Sequence, residues 1–401
     1  MVLLAMELCA SSGAAPPLKV MPLGDSITQG GQGYPSWRYP LWFLLRGAGL
    51  AVDFVGTLTI VADGNVNTGL FPDYDSTFDR DHEGHWGWRT DQVLGIIDGA
   101  AASTQPDVAL IHLGTNDVGL SGAAGVTAAT ANLQQIIARL RAANPQIAVL
   151  IAQIIPPGRN AGTYTLNVPS FTALNANIAQ FAAALDTAQS RVLVVDQATG
   201  FVPGTDLYDS LHPNESGMAR MAQKWFAALR PIALGQLASI PRIAQPPASL
   251  DRLEGMTATL TVTATGAATL TYQWHRGDAP IPGATAPTLA VGPLTASDAG
   301  IYRVVVANAS GTVSSIPAAL TVVPRTTLTS AWLPPMGGGD AAVQIGLLVR
   351  ADWSYQLFSS PDLVTWSSLD TVSGQTGGQV WQIPVAPGAS KRFYRVEISA
   401  P

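Results

Sequence analysis

Three side chains in the first half of the sequence could together carry out acyl transfer: Ser26, Asp209 and His212. Ser26 follows an apolar run, Leu18 to Gly24, which predicts a buried strand that ends in a glycine turn. A serine hydroxyl is a poor nucleophile until a base takes its proton. Among five histidines, His212 suits that role best, because Asp209 lies three residues before it and a tight turn could join the two side chains.

An acyl-transfer site also needs hydrogen-bond donors for the oxyanion that develops on the substrate. The sequence offers three: the backbone N–H groups of Ser26 and Gly87, and the side-chain amide of Asn116. For Asn116 the alternative is a cap on the next element, and for Gly87 it is an ordinary loop glycine. Gly87 and Asn116 can therefore act as oxyanion donors only if the fold brings them close to Ser26.

The elements that must position these groups alternate between strands and helices. Strands are predicted at 18–24, 51–56, 107–113, 147–152 and 192–196, and helices at 37–47, 126–143, 170–188 and 214–229. This alternation predicts an α/β fold, a parallel five-stranded sheet of flavodoxin-like order covered by helices on both faces. Ser26, Gly114–Asp117 and Asp209–His212 all fall just after strand ends, where such sheets bind ligands.

A stretch of more than thirty residues, 57–89, shows little periodic pattern and ends in a segment rich in histidine and tryptophan. Its acidic part, 73–83, and the pair His82 and His85 allow a metal site, since histidines and carboxylates bind zinc, but we favour a role in bracing the loop. His112 lies within a predicted strand and is expected to be a packed, neutral imidazole. We therefore expect no metal and no cofactor.

The second half of the chain changes character. Thr, Val, Ser and Gly alternate, and residues 243–323 resemble an immunoglobulin-like sandwich. Trp274 is the expected core tryptophan and Asp298–Tyr302 the expected tyrosine corner, whereas Val262 and Val304 stand where paired cysteines would be. Residues 325–401 are predicted to form a further β-rich module, with polysaccharide binding as one role and a spacer as the favoured one.

Composition narrows the possible partners. The net charge is −6 and only 12% of the 401 residues are charged, so no basic surface is available for nucleic acid or for an anionic membrane. No apolar run is long enough to insert across a bilayer. Cys9 is the only cysteine, which excludes an internal disulfide. Residues 1–16 are interpreted as an incomplete signal peptide or a disordered lead, because they lack the basic start of a complete signal. We expect a secreted or extracytoplasmic bacterial protein.

Four blocks occur in order: Gly24–Ser26, Gly87, Gly114–Asp117 and Asp209–Pro213. Together they resemble the SGNH (GDSL-type) hydrolase superfamily over about residues 17–236. The resemblance implies that Ser26 is the nucleophile, His212 the base with Asp209 as its orienting acid, and Gly87 and Asn116 the oxyanion donors besides the Ser26 N–H. KVMPLGDSITQG, AVDFVG and DHEGHWGW look more specifically like carbohydrate esterase family 3.

That closer resemblance implies a serine esterase that removes O-acetyl groups from a carbohydrate such as acetylated xylan. It also suggests a substrate-binding role for Asp25 and for tryptophans that could face a sugar ring: Trp37, Trp86 and Trp88. For each tryptophan, packing against the core is the alternative. Two other functions stay open, a general short-chain esterase or lysophospholipase, and a carbohydrate-binding or adhesion protein whose hydrolase domain is a relic.

Overall fold

The computed structural model describes residues 16–31, 35–61, 75–158, 168–267, 269–324, 328–334, 341–349, 353–373, 377–385 and 392–399. Four sequence predictions lie partly outside these residues: the lead at 1–16, the loop at 57–89, its acidic part 73–83, of which residues 73 and 74 are not described, and the module at 325–401. Among the described helices, none has both the length and the apolar character needed to cross a membrane.

The first domain is built on a parallel sheet. Its strands are β1 (Leu18–Gly24), β2 (Val52–Phe54), β3 (Glu83–Gly84), β4 (Val108–His112), β5 (Ala148–Gln153) and β6 (Val192–Asp196). The main path runs β2-β1-β4-β5-β6, and β3 pairs with the end of β1. Ignoring the two-residue β3, this is the flavodoxin-like order, so the five-stranded parallel sheet that the alternation predicts is confirmed.

Helices cover both faces of this sheet. They are α1 (Ser26–Gln29), α2 (Arg38–Gly47), α3 (Thr90–Leu94), α4 (Ile97–Thr104), α5 (Thr115–Ala143), α6 (Val168–Leu185), α7 (Pro203–Asp206) and α8 (Glu215–Ala233). One apolar core lies between the sheet and α3 to α6, and a second lies between the sheet and α2 and α8. Because both faces are covered, the central strands β4 and β5 are almost continuously apolar rather than alternating.

The first domain differs from the sequence prediction in several features, among them the short helices α1 and α7, which were not predicted. The loop at 57–89 contains β3, and helices α3 and α4 follow it where no element was predicted. Helix α5 begins at Thr115 instead of 126, with an interruption at Gly122, whose φ is 55°. The glycines at this interruption weaken the apolar periodicity, so the first part of the helix is not visible in the sequence pattern.

The second domain is an immunoglobulin-like β-structure. Its strands are β7 (Arg242–Gln245), β8 (Leu250–Leu253), β9 (Ala258–Thr261), β10 (Thr263–Thr265), β11 (Thr271–Arg276), β12 (Ala279–Pro280), β13 (Thr288–Val291), β14 (Gly300–Asn308), β15 (Gly311–Ser314) and β16 (Ala318–Val323). Trp274 is fully buried, and the Tyr302 hydroxyl donates to the Asp298 carbonyl at 2.8 Å, as a tyrosine corner does. Val262 and Val304 pack in the same core, so apolar contact replaces the disulfide.

The remaining described residues are also β-rich. They form β17 (Thr329–Leu333), β18 (Ala341–Val349), β19 (Ser354–Ser360), β20 (Ser367–Val372), β21 (Gly377–Val385) and β22 (Phe393–Ser399). These strands make two antiparallel three-stranded sheets, β17-β18-β21 and β20-β19-β22. Tyr355, Leu357 and Trp381 lie in the apolar core shared by the two sheets. The predicted β-rich character of this region is therefore confirmed.

Candidate active site

Ser26 lies directly beyond the carboxyl end of β1. Strand β1 pairs with β4 so closely that a Cβ at Gly24 would lie 2.3 Å from the His112 carbonyl oxygen, which explains the glycine. Asp25 then accepts a hydrogen bond from the Ile27 N–H at 3.0 Å and caps the short helix α1. Ser26 is the first residue of that helix, so its N–H has no partner within the helix and its side chain emerges at the sheet edge.

His212 joins Ser26 and Asp209 in one chain of hydrogen bonds. The His212 Nε2 atom lies 2.9 Å from the Ser26 Oγ atom, and the His212 Nδ1 atom lies 2.7 Å from the Asp209 Oδ2 atom. The other carboxylate oxygen, Oδ1, accepts the backbone N–H groups of Leu211 at 2.6 Å and His212 at 2.7 Å. The turn and the side-chain contact therefore depend on the same carboxylate, and the Asp-x-x-His spacing follows from this geometry.

The electrostatics of Asp209 favour its charged form. Partial burial alone would raise the pKa of Asp209, but the hydrogen bonds from the His212 ring and from two backbone N–H groups outweigh burial and lower that pKa. A charged carboxylate fixes the imidazole tautomer that carries its proton on Nδ1. The Nε2 atom then faces Ser26 as a hydrogen-bond acceptor, which is the arrangement that a general base requires.

The two other oxyanion candidates lie on the neighbouring strand ends. Gly87 follows β3, with φ at 76° in the left-handed region, and its N–H has no partner among the described residues. Asn116 is the second residue of α5, which follows β4, and its Nδ2 atom donates to the Trp88 carbonyl at 2.8 Å. Because β3 and β4 flank β1, the fold brings the loop with Gly87 and the turn with Asn116 to either side of Ser26.

Replacing Asn116 with Ala tests its proposed role as an oxyanion donor. We expect kcat for a small aryl ester to fall by roughly 10²- to 10³-fold, the usual effect of removing one such donor. Steady-state kinetics measures the loss. The thermal unfolding midpoint shows whether losing the hydrogen bond to the Trp88 carbonyl has also destabilised the fold. A folded variant with kcat within threefold of the wild type would remove Asn116 from the mechanism.

The structure corrects two predicted substrate contacts. Trp37 is 0% exposed and packs against Trp225 of α8 at a ring-centroid distance of 5.3 Å, so it belongs to the core. Asp25 is also 0% exposed, and its side chain caps α1 below the surface. Neither side chain can contact a substrate in this structure. For Trp37 the alternative considered at the sequence level, core packing, is the one observed.

The buried position of Asp25 has a consequence for stability. Burial raises the pKa of Asp25 to about 7 from a usual value of 3.8, against the opposing effects of the Ile27 N–H and of His212. Between these two pH values the native protein holds a proton that the unfolded chain has released. The contribution of Asp25 to the free energy of unfolding therefore falls as pH rises from about 4 to about 7.

Asp25→Asn should remove this dependence, because an amide does not titrate and can still cap α1. Between pH 4 and pH 8, the free energy of unfolding should fall by roughly 4 kcal/mol less in Asp25→Asn than in the wild type. Denaturant titration of the first domain across this range gives the slopes. Asp98→Asn, at a carboxylate that is 64% exposed, is the matched control and should keep the wild-type slope. Parallel slopes for wild type and Asp25→Asn would contradict the expectation.

The other two tryptophans lie near the site. Trp86 is 43% exposed and its indole stacks on the His212 ring, with centroids 4.7 Å apart. Trp88, which directly follows Gly87 in the chain, is partly buried. Its indole stacks on the His85 ring, with centroids 4.1 Å apart. Trp86 thus lines the cleft at Ser26, whereas Trp88 supports the loop that carries Gly87.

The remaining histidines of the first domain have structural roles. His82 accepts the Gly84 N–H at 3.0 Å through Nδ1 and bonds to the Ile60 carbonyl at 2.9 Å through Nε2, while His85 bonds to buried Glu83 at 2.8 Å. Burial keeps the pKa of His82 well below its usual value and lowers that of His112 to about 4, so both rings are neutral. Within the described part of the chain, no cluster of three potential metal-binding side chains occurs.

Sequence reasoning missed three residues that support the site. Gln29 accepts the Trp86 N–H at 2.7 Å, and Tyr208 stacks on His212 with centroids 5.7 Å apart. Arg38 is buried and donates to the carbonyls of Thr28 at 2.9 Å and Gln29 at 3.0 Å, which fixes the end of α1. For Gln29 and Arg38 no local pattern exists, because their partners lie in different elements. Tyr208 lies only four residues from His212, but nothing in the sequence shows that its ring stacks on the imidazole.

Comparison with known proteins finds matches in two parts of the chain. Residues 23–220 match the model of the GDSL-like lipase/acylhydrolase family, and residues 241–322 match the immunoglobulin I-set domain. A multidomain esterase of Ruminococcus flavefaciens is 27% identical over 229 residues, which is 53% of this chain but only 28% of that protein. This chain thus aligns with less than a third of that relative's length.

Two solved structures align with the first domain over nearly their whole length. A carbohydrate esterase family 3 protein of Talaromyces cellulolyticus is 30% identical, with 54% of this chain and 99% of that chain covered and a TM-score of 0.47. A family 3 carbohydrate esterase of Clostridium thermocellum is 27% identical, with 55% and 98% covered and a TM-score of 0.43. Residues 23–220 therefore form a domain of the GDSL-like lipase/acylhydrolase family, and an immunoglobulin I-set domain follows it at residues 241–322.

Proposed function

We propose that the first domain hydrolyses carboxylic esters with Ser26 as the nucleophile, His212 as the general base and Asp209 as the acid that orients the base. The observation that carries this proposal is the continuous chain of hydrogen bonds from the Ser26 hydroxyl through the imidazole to the Asp209 carboxylate. The N–H groups of Ser26 and Gly87 and the amide of Asn116 are the proposed donors to the oxyanion.

The proposed reaction has two halves. The Ser26 Oγ atom attacks the ester carbonyl while the His212 Nε2 atom takes the hydroxyl proton, and the negative charge develops on the carbonyl oxygen. The tetrahedral intermediate then breaks its bond to the leaving oxygen, which receives the proton from Nε2. Water repeats the sequence on the acyl-serine with His212 again as base, releasing the acid and restoring Ser26.

The proposed substrate is an O-acetyl group on a carbohydrate, with acetylated xylan or a related polysaccharide or oligosaccharide as the expected class. The cleft at Ser26 is small, with a cavity volume of about 10 Å³, which favours a small acyl group. The half-exposed indole of Trp86 beside it could face a sugar ring. The resemblance of the KVMPLGDSITQG and DHEGHWGW segments to carbohydrate esterase family 3 favours the same class.

A general short-chain esterase or lysophospholipase is the second candidate. The two are separated by a series of aryl esters from acetate to octanoate and by acetate release from acetylated xylan. A steep preference for acetate together with release from xylan supports the carbohydrate proposal. Activity on aryl acetate without release from xylan would keep the esterase and overturn the xylan assignment.

A binding or adhesion protein with a relic hydrolase domain is the third candidate. Loss of function would remove the need to keep Ser26 and Asp209 within hydrogen-bond distance of His212, yet both are bonded to its ring. Wild-type protein that hydrolyses neither aryl acetate nor acetylated xylan would make this candidate the leading one.

The division of the chain is proposed as 17–236 for the hydrolase domain, 243–323 for the immunoglobulin-like domain and 325–401 for the β-rich module. We expect the two β-domains to act as spacers or stabilising modules, with polysaccharide binding as their alternative role. Adsorption of the Ser26→Ala protein to insoluble xylan separates the two roles, since retention on xylan supports binding. We propose that the protein is located outside the bacterial cytoplasm.

A further inference from the structure

The imidazole of His212 stacks with two aromatic rings that belong to different parts of the chain. The Trp86 indole lies 4.7 Å from the imidazole centroid and the Tyr208 phenol 5.7 Å, and each ring is tilted by only 16° from the imidazole plane. Near-parallel rings at these distances attract one another through their π-systems. The stack leaves the ring edge, with its two nitrogens, pointing to Ser26 and Asp209.

Trp86 is held in place by residues that follow Ser26 in the chain. The Trp86 backbone N–H donates to the buried Gln29 side chain at 2.7 Å. A Cβ added to Gly31 would lie 2.8 Å from the Trp86 Cζ3 atom, so the indole rests directly on this glycine. The segment that follows the proposed nucleophile therefore sets the position of the ring that stacks on the proposed base.

Tyr208 belongs to the same turn as His212. Its N–H donates to the His212 carbonyl at 3.0 Å, which closes the turn that also contains Asp209. The phenol and the indole both line the cleft at Ser26. One ring thus comes from the turn that carries the imidazole, and the other from the loop after β3.

We propose that Trp86 and Tyr208 are positioning residues for the reaction, which keep the His212 ring in the plane where Nε2 meets the Ser26 hydroxyl. The proposal rests on the proposed function. The aromatic faces also stabilise the positive imidazolium that forms when the serine proton is transferred, since a cation over an aromatic face is attracted by the ring quadrupole. Both effects are stronger in the transition state than in the ground state, so they act on kcat.

The competing role for Trp86 is a platform for sugar alone. An aryl acetate has no sugar, and stacking of its aromatic ring on the indole would change KM rather than kcat, so a platform alone leaves its kcat unchanged. Trp86→Leu keeps an apolar cover over the imidazole but removes the π face. On an aryl acetate, we expect kcat of Trp86→Leu to fall roughly 3- to 30-fold with little change in KM.

Conservative variants separate stacking from a loss of local structure. Trp86→Phe and Tyr208→Phe keep an aromatic face and should retain most of kcat, whereas Tyr208→Leu should lose it as Trp86→Leu does. Gly31→Ala should displace the indole and lower kcat with Trp86 intact. Trp332→Leu, at a tryptophan that is 59% exposed in the C-terminal β-region, is the matched control and should leave kcat unchanged.

The possible failures are distinguishable. If Ser26→Ala is as active as the wild type, the proposed function itself fails. A second outcome is that Ser26→Ala is inactive while Trp86→Leu keeps kcat on aryl acetate within twofold and shows only a higher KM for acetylated carbohydrate. In that case Trp86 is a sugar platform and the inference is overturned. Equal losses in Trp86→Phe and Trp86→Leu would likewise overturn it, because the aromatic face would then not matter.

Discussion

Ser26→Ala is expected to lower kcat for an aryl acetate by about 10⁴- to 10⁶-fold. Without the hydroxyl no acyl-enzyme can form, and the remaining rate comes only from the oxyanion donors and from substrate binding. The fold should persist, because α1 is capped by Asp25 and closed by Arg38 rather than by the serine side chain. Initial rates at saturating substrate give the loss directly.

Ser103→Ala is the matched control for this prediction. The Ser103 hydroxyl donates to the Ala100 carbonyl on α4, away from the cleft, so its removal should leave kcat unchanged. A Ser26→Ala protein that keeps more than a tenth of wild-type kcat would show that another group attacks the ester.

Asp209→Asn should lower kcat by about 10⁴-fold although it changes almost no volume. The amide oxygen can keep the two backbone N–H groups that Oδ1 now accepts, which turns the NH₂ group toward the His212 Nδ1 atom. The imidazole must then accept at Nδ1 and carry its proton on Nε2. In that tautomer it donates toward Ser26 and cannot take the serine proton.

Asp98→Asn makes the same chemical change at an exposed carboxylate and should leave kcat unchanged. A folded Asp209→Asn variant with a loss smaller than tenfold would mean that the carboxylate does not set the tautomer of His212. NMR of the imidazole nitrogens in both proteins shows the tautomer independently of activity.

The sequence was sufficient for the parts of the fold that depend on local patterns. Alternating strands and helices predicted the parallel sheet, since each element carries its own periodicity. The Asp209–His212 spacing predicted a contact inside one turn, and the Tyr302 corner is equally local. The contact between His212 and Ser26 spans 186 positions and could be expected only because both follow strand ends and because the order of the blocks resembles the SGNH hydrolases.

Long-range packing is what the sequence could not provide. The apolar character of Trp37 is visible, but its burial depends on Trp225, which lies far along the chain on α8. Asp25 could not be assigned to a buried cap without knowing that Thr115 and Asp117, at the start of α5, lie beside it. The two-residue strand β3 is too short for any pattern, yet its pairing with β1 brings Gly87 to the site.

The most direct test of the central claim is covalent labelling of the nucleophile. The full chain is treated with an organophosphonate that reacts only with activated serines, and the modified peptide is identified by mass spectrometry. The account predicts one label, on Ser26, with loss of esterase activity in proportion to labelling and no label on Ser26→Ala or His212→Ala. A label on another residue, or full inactivation with Ser26 unmodified, would contradict it.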